Sequence, residues 1–308
     1  MVKILICDPV HPDAIKIMKN AGYDVIYKPE ISHEELLREI EEYDAIIVRS
    51  RTKVTRDIIE RAKNLKLIVR AGVGLDNINL SATSERGIVV KNTPGALTNA
   101  VAELALGLMF TLARKISYCD SEMKKGLWVK KKARGIELAG KILGLVGFGR
   151  IGRCLAEKAL SLNMKVIAYD IAGIPEEYKK KGVQEVSSME ELFKKADFVS
   201  LHVPLTDKTY HLVNEKLLKL MKRTAYLINT SRGATVDTDA LRKALKEGWI
   251  AGAALDVFEV EPPGDEELIK MENVVATPHI GSETEEAQRK AGLMAAEEVI
   301  NFFIGRRK

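Results

Sequence analysis

Three residues near the ends of short apolar runs are of the types that oxidise an alcohol. His279 lies just beyond Val274–Ala276, in Thr277-Pro278-His279-Ile280-Gly281. Arg232 follows Ala225–Asn229, and Glu261 stands a few residues past Ala253–Asp256. A histidine takes up a hydroxyl proton near neutral pH, a carboxylate orients it, and a flat guanidinium fork holds a substrate carboxylate. Of the other histidines, His202 follows the run Phe198–Leu201 and precedes Pro204, which places it at a strand end facing a cofactor cleft. His11, His33 and His211 lie in polar or turn-like stretches and read as solvated.

Such chemistry needs a hydride acceptor. Ile142-Leu143-Gly144-Leu145-Val146 is an apolar strand that runs into Gly147-Phe148-Gly149-Arg150-Ile151-Gly152, and a helical pattern follows over Arg153–Leu162. Gly147 permits the tight turn, Gly149 lets a pyrophosphate approach the backbone, and Gly152 lets helix and strand pack closely. The N–H groups of the helix start, with its positive dipole end, receive the phosphates. Asp170 ends the next strand, about 20 residues on, where an acid binds ribose hydroxyls and repels a 2′-phosphate. The cofactor read from these residues is NAD in preference to NADP.

The elements that must position these groups recur regularly. Runs at Lys3–Cys7, Asp24–Tyr27, Ala45–Val48, Leu67–Val69 and Ile88–Val90 start about 21 residues apart, the spacing of strand-plus-helix units. Helical patterns intervene at Ser32–Glu42 and Thr55–Ala62, and Ser32 with Glu35 forms a capping-box signal. Thr98–Arg114 reads as a long helix, apolar on nearly all sides and therefore buried, with Ala102, Ala105 and Gly107 allowing close packing. A basic, less periodic stretch (124–135) follows. A second strand series then runs through Lys141–Val146, Lys165–Tyr169, Phe198–Leu201, Ala225–Asn229, Ala253–Asp256 and Val274–Ala276. Glu283–Ile304 is helical, and periodicity alone leaves open which unit it packs on. The expected fold class is α/β, with two doubly wound parallel-sheet domains.

A chain of 308 residues, 46% hydrophobic and 30% charged, suits about two globular domains. The net charge of +5 is spread among nearly as many acids, and no long basic run precedes the terminal Arg306-Arg307-Lys308, so no nucleic-acid footprint is expected. Cys7, Cys119 and Cys154 are far apart, with neither metal-ligand nor disulfide spacing, so no metal and a reducing cytoplasm are expected. Neither a signal peptide nor a membrane span is legible.

Several further motifs occur in order: Ala71-Gly72-Val73-Gly74-Leu75-Asp76-Asn77-Ile78, Asn92-Thr93-Pro94-Gly95, Leu201-His202-Val203-Pro204-Leu205-Thr206, Asn229-Thr230-Ser231-Arg232-Gly233, Asp256-Val257-Phe258-Glu259-Val260-Glu261-Pro262 and Pro278-His279-Ile280-Gly281. With the glycine turn, they make the chain resemble the D-isomer-specific 2-hydroxyacid dehydrogenases over nearly its whole length. The resemblance implies His279 as general acid/base, Glu261 as the carboxylate that orients it, and Arg232 as the grip on the substrate carboxylate. It implies Asp256 near the nicotinamide carboxamide, with further cofactor contacts from His202, Val203, Pro204, Thr230 and Gly281. Val73, Gly74 and Asn92 fall to the substrate. It also implies an NAD-binding Rossmann domain (97–282) inserted into a flavodoxin-like substrate domain (1–96 plus 283–308), an active cleft at their junction, and a homodimer formed through the region from Thr98.

Within that family the chain is most similar to the phosphoglycerate-oxidising branch at the entry to serine synthesis. The residues that carry this are Val48-Arg49-Ser50-Arg51-Thr52-Lys53-Val54-Thr55, the segment Ala71–Ile78 and Thr284-Glu285-Glu286-Ala287-Gln288. A phosphorylated substrate needs a second anion site, for which Arg49, Arg51 and Lys53 are the candidate cations, with Ser50 between them also given to the substrate. The end at Lys308 leads to the expectation of no C-terminal regulatory module. His279-Ile280-Gly281-Ser282 also resembles the glyoxylate and hydroxypyruvate reductases, the alternative reading. NADH-sensing binding proteins are a third, from which the intact catalytic set and the lack of a long disordered tail argue away.

Overall fold

The structure is a computed structural model that describes residues 1–264 and 266–305. The chain divides into two compact units, one of residues 1–97 with 282–305 and one of residues 98–281.

The first unit contains a five-stranded sheet: β1 (Lys3–Ile6), β2 (Asp24–Tyr27), β3 (Ala45–Val48), β4 (Leu67–Arg70) and β5 (Val89–Asn92). All pairings are parallel and the order is β2-β1-β3-β4-β5, the flavodoxin-like arrangement. Alternate residues face opposite layers, as the pleat requires. Ile4, Ile6, Ala45 and Ile47 join Met18, Ala291, Ala295, Val299 and Phe303 on one face. Leu5, Cys7, Ile46 and Val48 join Leu36, Ile40, Ile58 and Ile59 on the other. The C-terminal helix Glu285–Ile304 packs in this unit, against helix Pro12–Asn20 and β4. Its N-cap Thr284 accepts from the Ala287 amide. The Ser32 capping box is present with both of its bonds.

The second unit contains β6 (Ile142–Val146), β7 (Lys165–Tyr169), β8 (Val183–Glu185), β9 (Phe198–Leu201), β10 (Tyr226–Asn229), β11 (Gly252–Leu255) and β12 (Val274–Ala276). All seven are parallel, in the order β12-β11-β10-β9-β6-β7-β8. The strand order reverses between β6 and β9. Ligands bind at such a switch point, outside the carboxyl ends of the strands. The glycine turn follows β6 and His202 follows β9, so both stand there. β8 lies at the sheet edge and was not among the expected strands.

Helix Thr98–Arg114 lies on one face of this sheet, with helix Arg150–Ser161. It differs from its expectation on one side. Ala102, Ala105, Leu108 and Met109 are buried, but Glu103, Gly107 and Phe110 are exposed, so only one stripe belongs to the core. A helix not read from the sequence, Ile116–Lys124, follows it and buries no residue.

Candidate active site

Each catalytic candidate sits just past the carboxyl end of a strand in the second unit. Arg232 follows β10. Asn229, the last residue of β10, accepts from the Ser231 amide and hydroxyl at 3.0 and 2.9 Å, and its Nδ2 donates to the Arg232 carbonyl at 2.9 Å. This side chain closes the turn that carries the arginine. Glu261 follows β11 and His279 follows β12. His279 Nδ1 and Glu261 Oε2 are 2.7 Å apart. An ionised carboxylate only accepts, so Nδ1 is the donor and the Nε2 lone pair is left for a substrate proton. Burial pushes the Glu261 carboxyl up. The hydrogen bond from His279, the Phe258 amide at 3.1 Å and the positive charges of His279 and Arg232 outweigh this, and the net shift is downward. The three groups form one electrostatic unit.

The backbone around His279 is held with comparable care. His279 has φ +53°, a left-handed conformation that side-chain-bearing residues seldom adopt and that must be imposed by the surroundings. Asp256 imposes it. It is 1% exposed and accepts from Thr277 Oγ1 at 2.6 Å, the Ile280 amide at 2.8 Å and the Gly281 amide at 2.9 Å. Burial dominates its titration and raises the carboxyl above its usual range, against those three donors and His279. Asp256 and Gly281, both expected at the cofactor, are here joined in the brace of the histidine turn.

The glycine turn meets its physical requirements. Gly147 has φ +91°, and a side chain there would run into the His202 carbonyl. A Cβ on Gly152 would lie 2.4 Å from the Gly147 carbonyl. Gly149 has open space where its Cβ would be, which leaves room for a phosphate. Helix Arg150–Ser161 begins immediately after, with Arg150 exposed and Ile151 half-buried. Asp170 Oδ2 accepts from the Phe148 amide at 2.6 Å and Oδ1 from the Ala172 amide at 2.8 Å, tying the end of β7 to the turn. Thr230 Oγ1 is buried with no hydrogen-bond partner among the described residues, a polar atom suited to a bound ligand. His202 is half-buried, its Nε2 lies 2.9 Å from Ser200 Oγ, and burial pulls its pKa down to about 4, so it is neutral. Val203 and Pro204 continue from it. These features fit a dinucleotide.

The substrate candidates lie in the first unit. Arg49 and Ser50 follow β3. Val73 and Gly74 follow β4, and Asn92 ends β5 with Nδ2 donating to the Val73 carbonyl at 2.6 Å. Arg51 makes several contacts within the first unit. Its guanidinium donates to the carbonyls of Cys7, Pro29 and Ile31 at 2.6, 2.8 and 3.2 Å and pairs with Asp8 at 3.0 Å. Those contacts use the fork to brace the loop.

Residues 106–281 match the family model of the D-isomer specific 2-hydroxyacid dehydrogenase, NAD binding domain. The chain belongs to the D-isomer specific 2-hydroxyacid dehydrogenase family. A D-3-phosphoglycerate dehydrogenase of Methanocaldococcus jannaschii is 49% identical over 300 residues, covering 97% of this chain and 57% of the relative. The chain thus spans little more than half the length of that relative. A hydroxypyruvate reductase of Thermotoga maritima is 46% identical over 304 residues, covering 96% of this chain and 97% of the relative. Among solved structures, the D-lactate dehydrogenase of Aquifex aeolicus complexed with NAD and lactic acid has a TM-score of 0.86 and 31% identity, covering 98% of this chain and 96% of that one.

The seven-stranded unit contains the residues that match the family's NAD binding domain. Three supporting residues were not singled out from the sequence. Asp8, 1% exposed, accepts from the Arg49 and Thr52 amides and from Thr52 Oγ1. Asn77 Nδ2 donates to the carbonyls of Arg49 and Thr52. Thr277 donates to Asp256. Asp8 alone had a signal, an acid directly after the apolar run of β1. The terminal basic run 306–308 lies outside the described residues.

Proposed function

We propose that the protein is an NAD-dependent dehydrogenase that oxidises D-3-phosphoglycerate to 3-phosphohydroxypyruvate, at the entry to serine synthesis. The observation that carries the reaction class is the 2.7 Å contact between His279 Nδ1 and Glu261, with Arg232 on the neighbouring strand end. NAD, held by Gly147–Gly152, Asp170 and Thr230, supplies the hydride acceptor. Arg232 grips the substrate carboxylate through its two-pronged fork. As the C2–H electron pair departs, His279 Nε2 takes the C2 hydroxyl proton and the carbon becomes a ketone. Glu261 stabilises the imidazolium so formed and prevents the ring from turning. Val73, Gly74 and Asn92 are assigned to the substrate carboxylate, and Arg49 to the distal phosphate.

The phosphorylated substrate is supported by the relative from M. jannaschii and by the half-buried Arg49 after β3. Reduction of hydroxypyruvate or glyoxylate is the second reading, supported by the T. maritima relative, which this chain matches over nearly its full length. A panel of keto acids followed by NADH absorbance decides between them. Fastest turnover of 3-phosphohydroxypyruvate supports the first, and faster hydroxypyruvate or glyoxylate turnover overturns it.

We further infer a homodimer. Phe110, Ile116, Met123, Leu127 and Trp128 are exposed along one stretch of the chain, Trp128 at 78%, and exposed apolar side chains grouped in this way mark an interaction surface. Light scattering at twice the chain mass of 34.2 kDa supports this, and the single mass overturns it. Among the described residues, no helix is long and apolar enough to cross a membrane.

A further inference from the structure

Arg49 is fixed at its backbone. Its amide donates to Asp8 at 2.5 Å, and its carbonyl accepts from Asn77 at 2.8 Å. Its side chain, 18% exposed, donates through Nη2 to Glu283 Oε1 at 2.5 Å, and Nη1 lies 3.5 Å from the Pro9 carbonyl. Glu283 is itself anchored: the same oxygen accepts from Gln288 Nε2 at 3.2 Å and Ser282 Oγ at 3.4 Å. The carboxylate therefore stands on the guanidinium assigned to the distal phosphate, within the same unit.

We propose that Glu283 is a built-in competitor for Arg49 and sets how strongly the enzyme prefers a phosphorylated substrate over its unphosphorylated analogue. This rests on the assignment of Arg49 to the distal anion. A guanidinium in contact with a carboxylate offers an incoming anion little net charge. A phosphate must displace Glu283 or share the N–H groups with it, against repulsion between two anions. A keto acid without a phosphate makes no demand on Arg49. The competitor therefore acts on one substrate class and spares the other. Replacement by glutamine keeps an acceptor for Arg49 and Gln288 and removes only the charge.

The test compares kcat/KM for 3-phosphohydroxypyruvate with that for hydroxypyruvate in the wild type, Glu283→Gln, Arg49→Gln and the double variant. Glu283→Gln should raise the ratio about two- to fivefold, chiefly through KM, the scale of a partly exposed ion pair. Arg49→Gln should lower it, and in that background Glu283→Gln should have no further effect. If Arg49→Gln lowers the ratio but Glu283→Gln leaves it unchanged, the competitor role is overturned. A fall in Glu283→Gln also overturns it, and makes Glu283 a residue that orients Arg49 for phosphate. If Arg49→Gln leaves the ratio unchanged, the assignment of Arg49 fails and takes this proposal with it.

Discussion

Both units place charged residues after the carboxyl ends of parallel strands, but the charges are used differently. In the 98–281 unit, the carboxylate of Glu261 is spent on the ring of His279, and the carboxylate of Asp256 on the turn that carries that ring. The ring keeps one nitrogen for a reacting atom. In the 1–97 unit, Arg51 is spent on three carbonyls and Asp8, and Arg49 is paired with Glu283. In one cluster the carboxylates hold an imidazole ring and its turn, and in the other the charge is largely neutralised within the unit. Residue type and position at a strand end do not separate these cases. The partner of each group does.

Removing the histidine breaks the comparison most severely. His279→Gln keeps a side chain of similar reach but cannot accept and return a proton. kcat should fall about 10²- to 10⁴-fold, the usual contribution of a positioned acid or base, with KM little changed. Stopped-flow or steady-state NADH absorbance measures this, and a loss below tenfold would remove His279 from the proton path.

The contrast also explains what was legible beforehand. Strands β2, β3, β7, β9 and β12 fall at their expected bounds: β3, β7 and β9 are largely buried and read as apolar runs between polar turns, and the edge strands β2 and β12 still carry β-branched apolar residues, Val25 and Ile26 in one and Val274 and Val275 in the other. β8 has three residues at the sheet edge, and Gln184 and Glu185 are exposed, so it carries no apolar pattern. Helix Ile116–Lys124 buries nothing, and burial is what writes a stripe into a sequence. The candidates Arg232, Glu261 and His279 were legible because each lies in a motif behind a strand. The competing partners of Arg49 and Arg51 were not, because Glu283 is 234 positions from Arg49 and Asp8 is 43 positions from Arg51, and no local pattern joins them. The same limit hid the left-handed turn at His279, which exists only through contacts with Asp256.

Arg51 sharpens the comparison at an intermediate scale. If it is a brace, Arg51→Met should leave the preference for phosphorylated substrate unaltered and reduce stability. The loss leaves Asp8 buried with its backbone and Thr52 donors but without its cation. Half of the Arg51 side chain is exposed, which discounts the cost of breaking a buried pair to about 2 kcal/mol. Chemical denaturation and the substrate ratio together check this. A changed ratio at unchanged stability would keep Arg51 in the substrate set.

The smallest expected effect concerns His202, beneath the glycine turn. Burial holds its pKa near 4 in the folded protein, below the ordinary 6.5. The unfolded chain therefore takes up the proton first as pH falls, and stability declines from about pH 6.5 to about pH 4, with no contribution to the slope above that window. Because the ring is only half-buried, the total is about 1–2 kcal/mol. His202→Gln keeps a polar group for Ser200 and cannot charge, so its stability should fall less than that of the wild type over this window. Guanidinium unfolding at pH 5 and pH 7 measures the difference. An equal decline in both proteins would mean that the acid sensitivity lies in the paired carboxylates, of which Glu261, held below its usual range, also loses its contribution as pH falls.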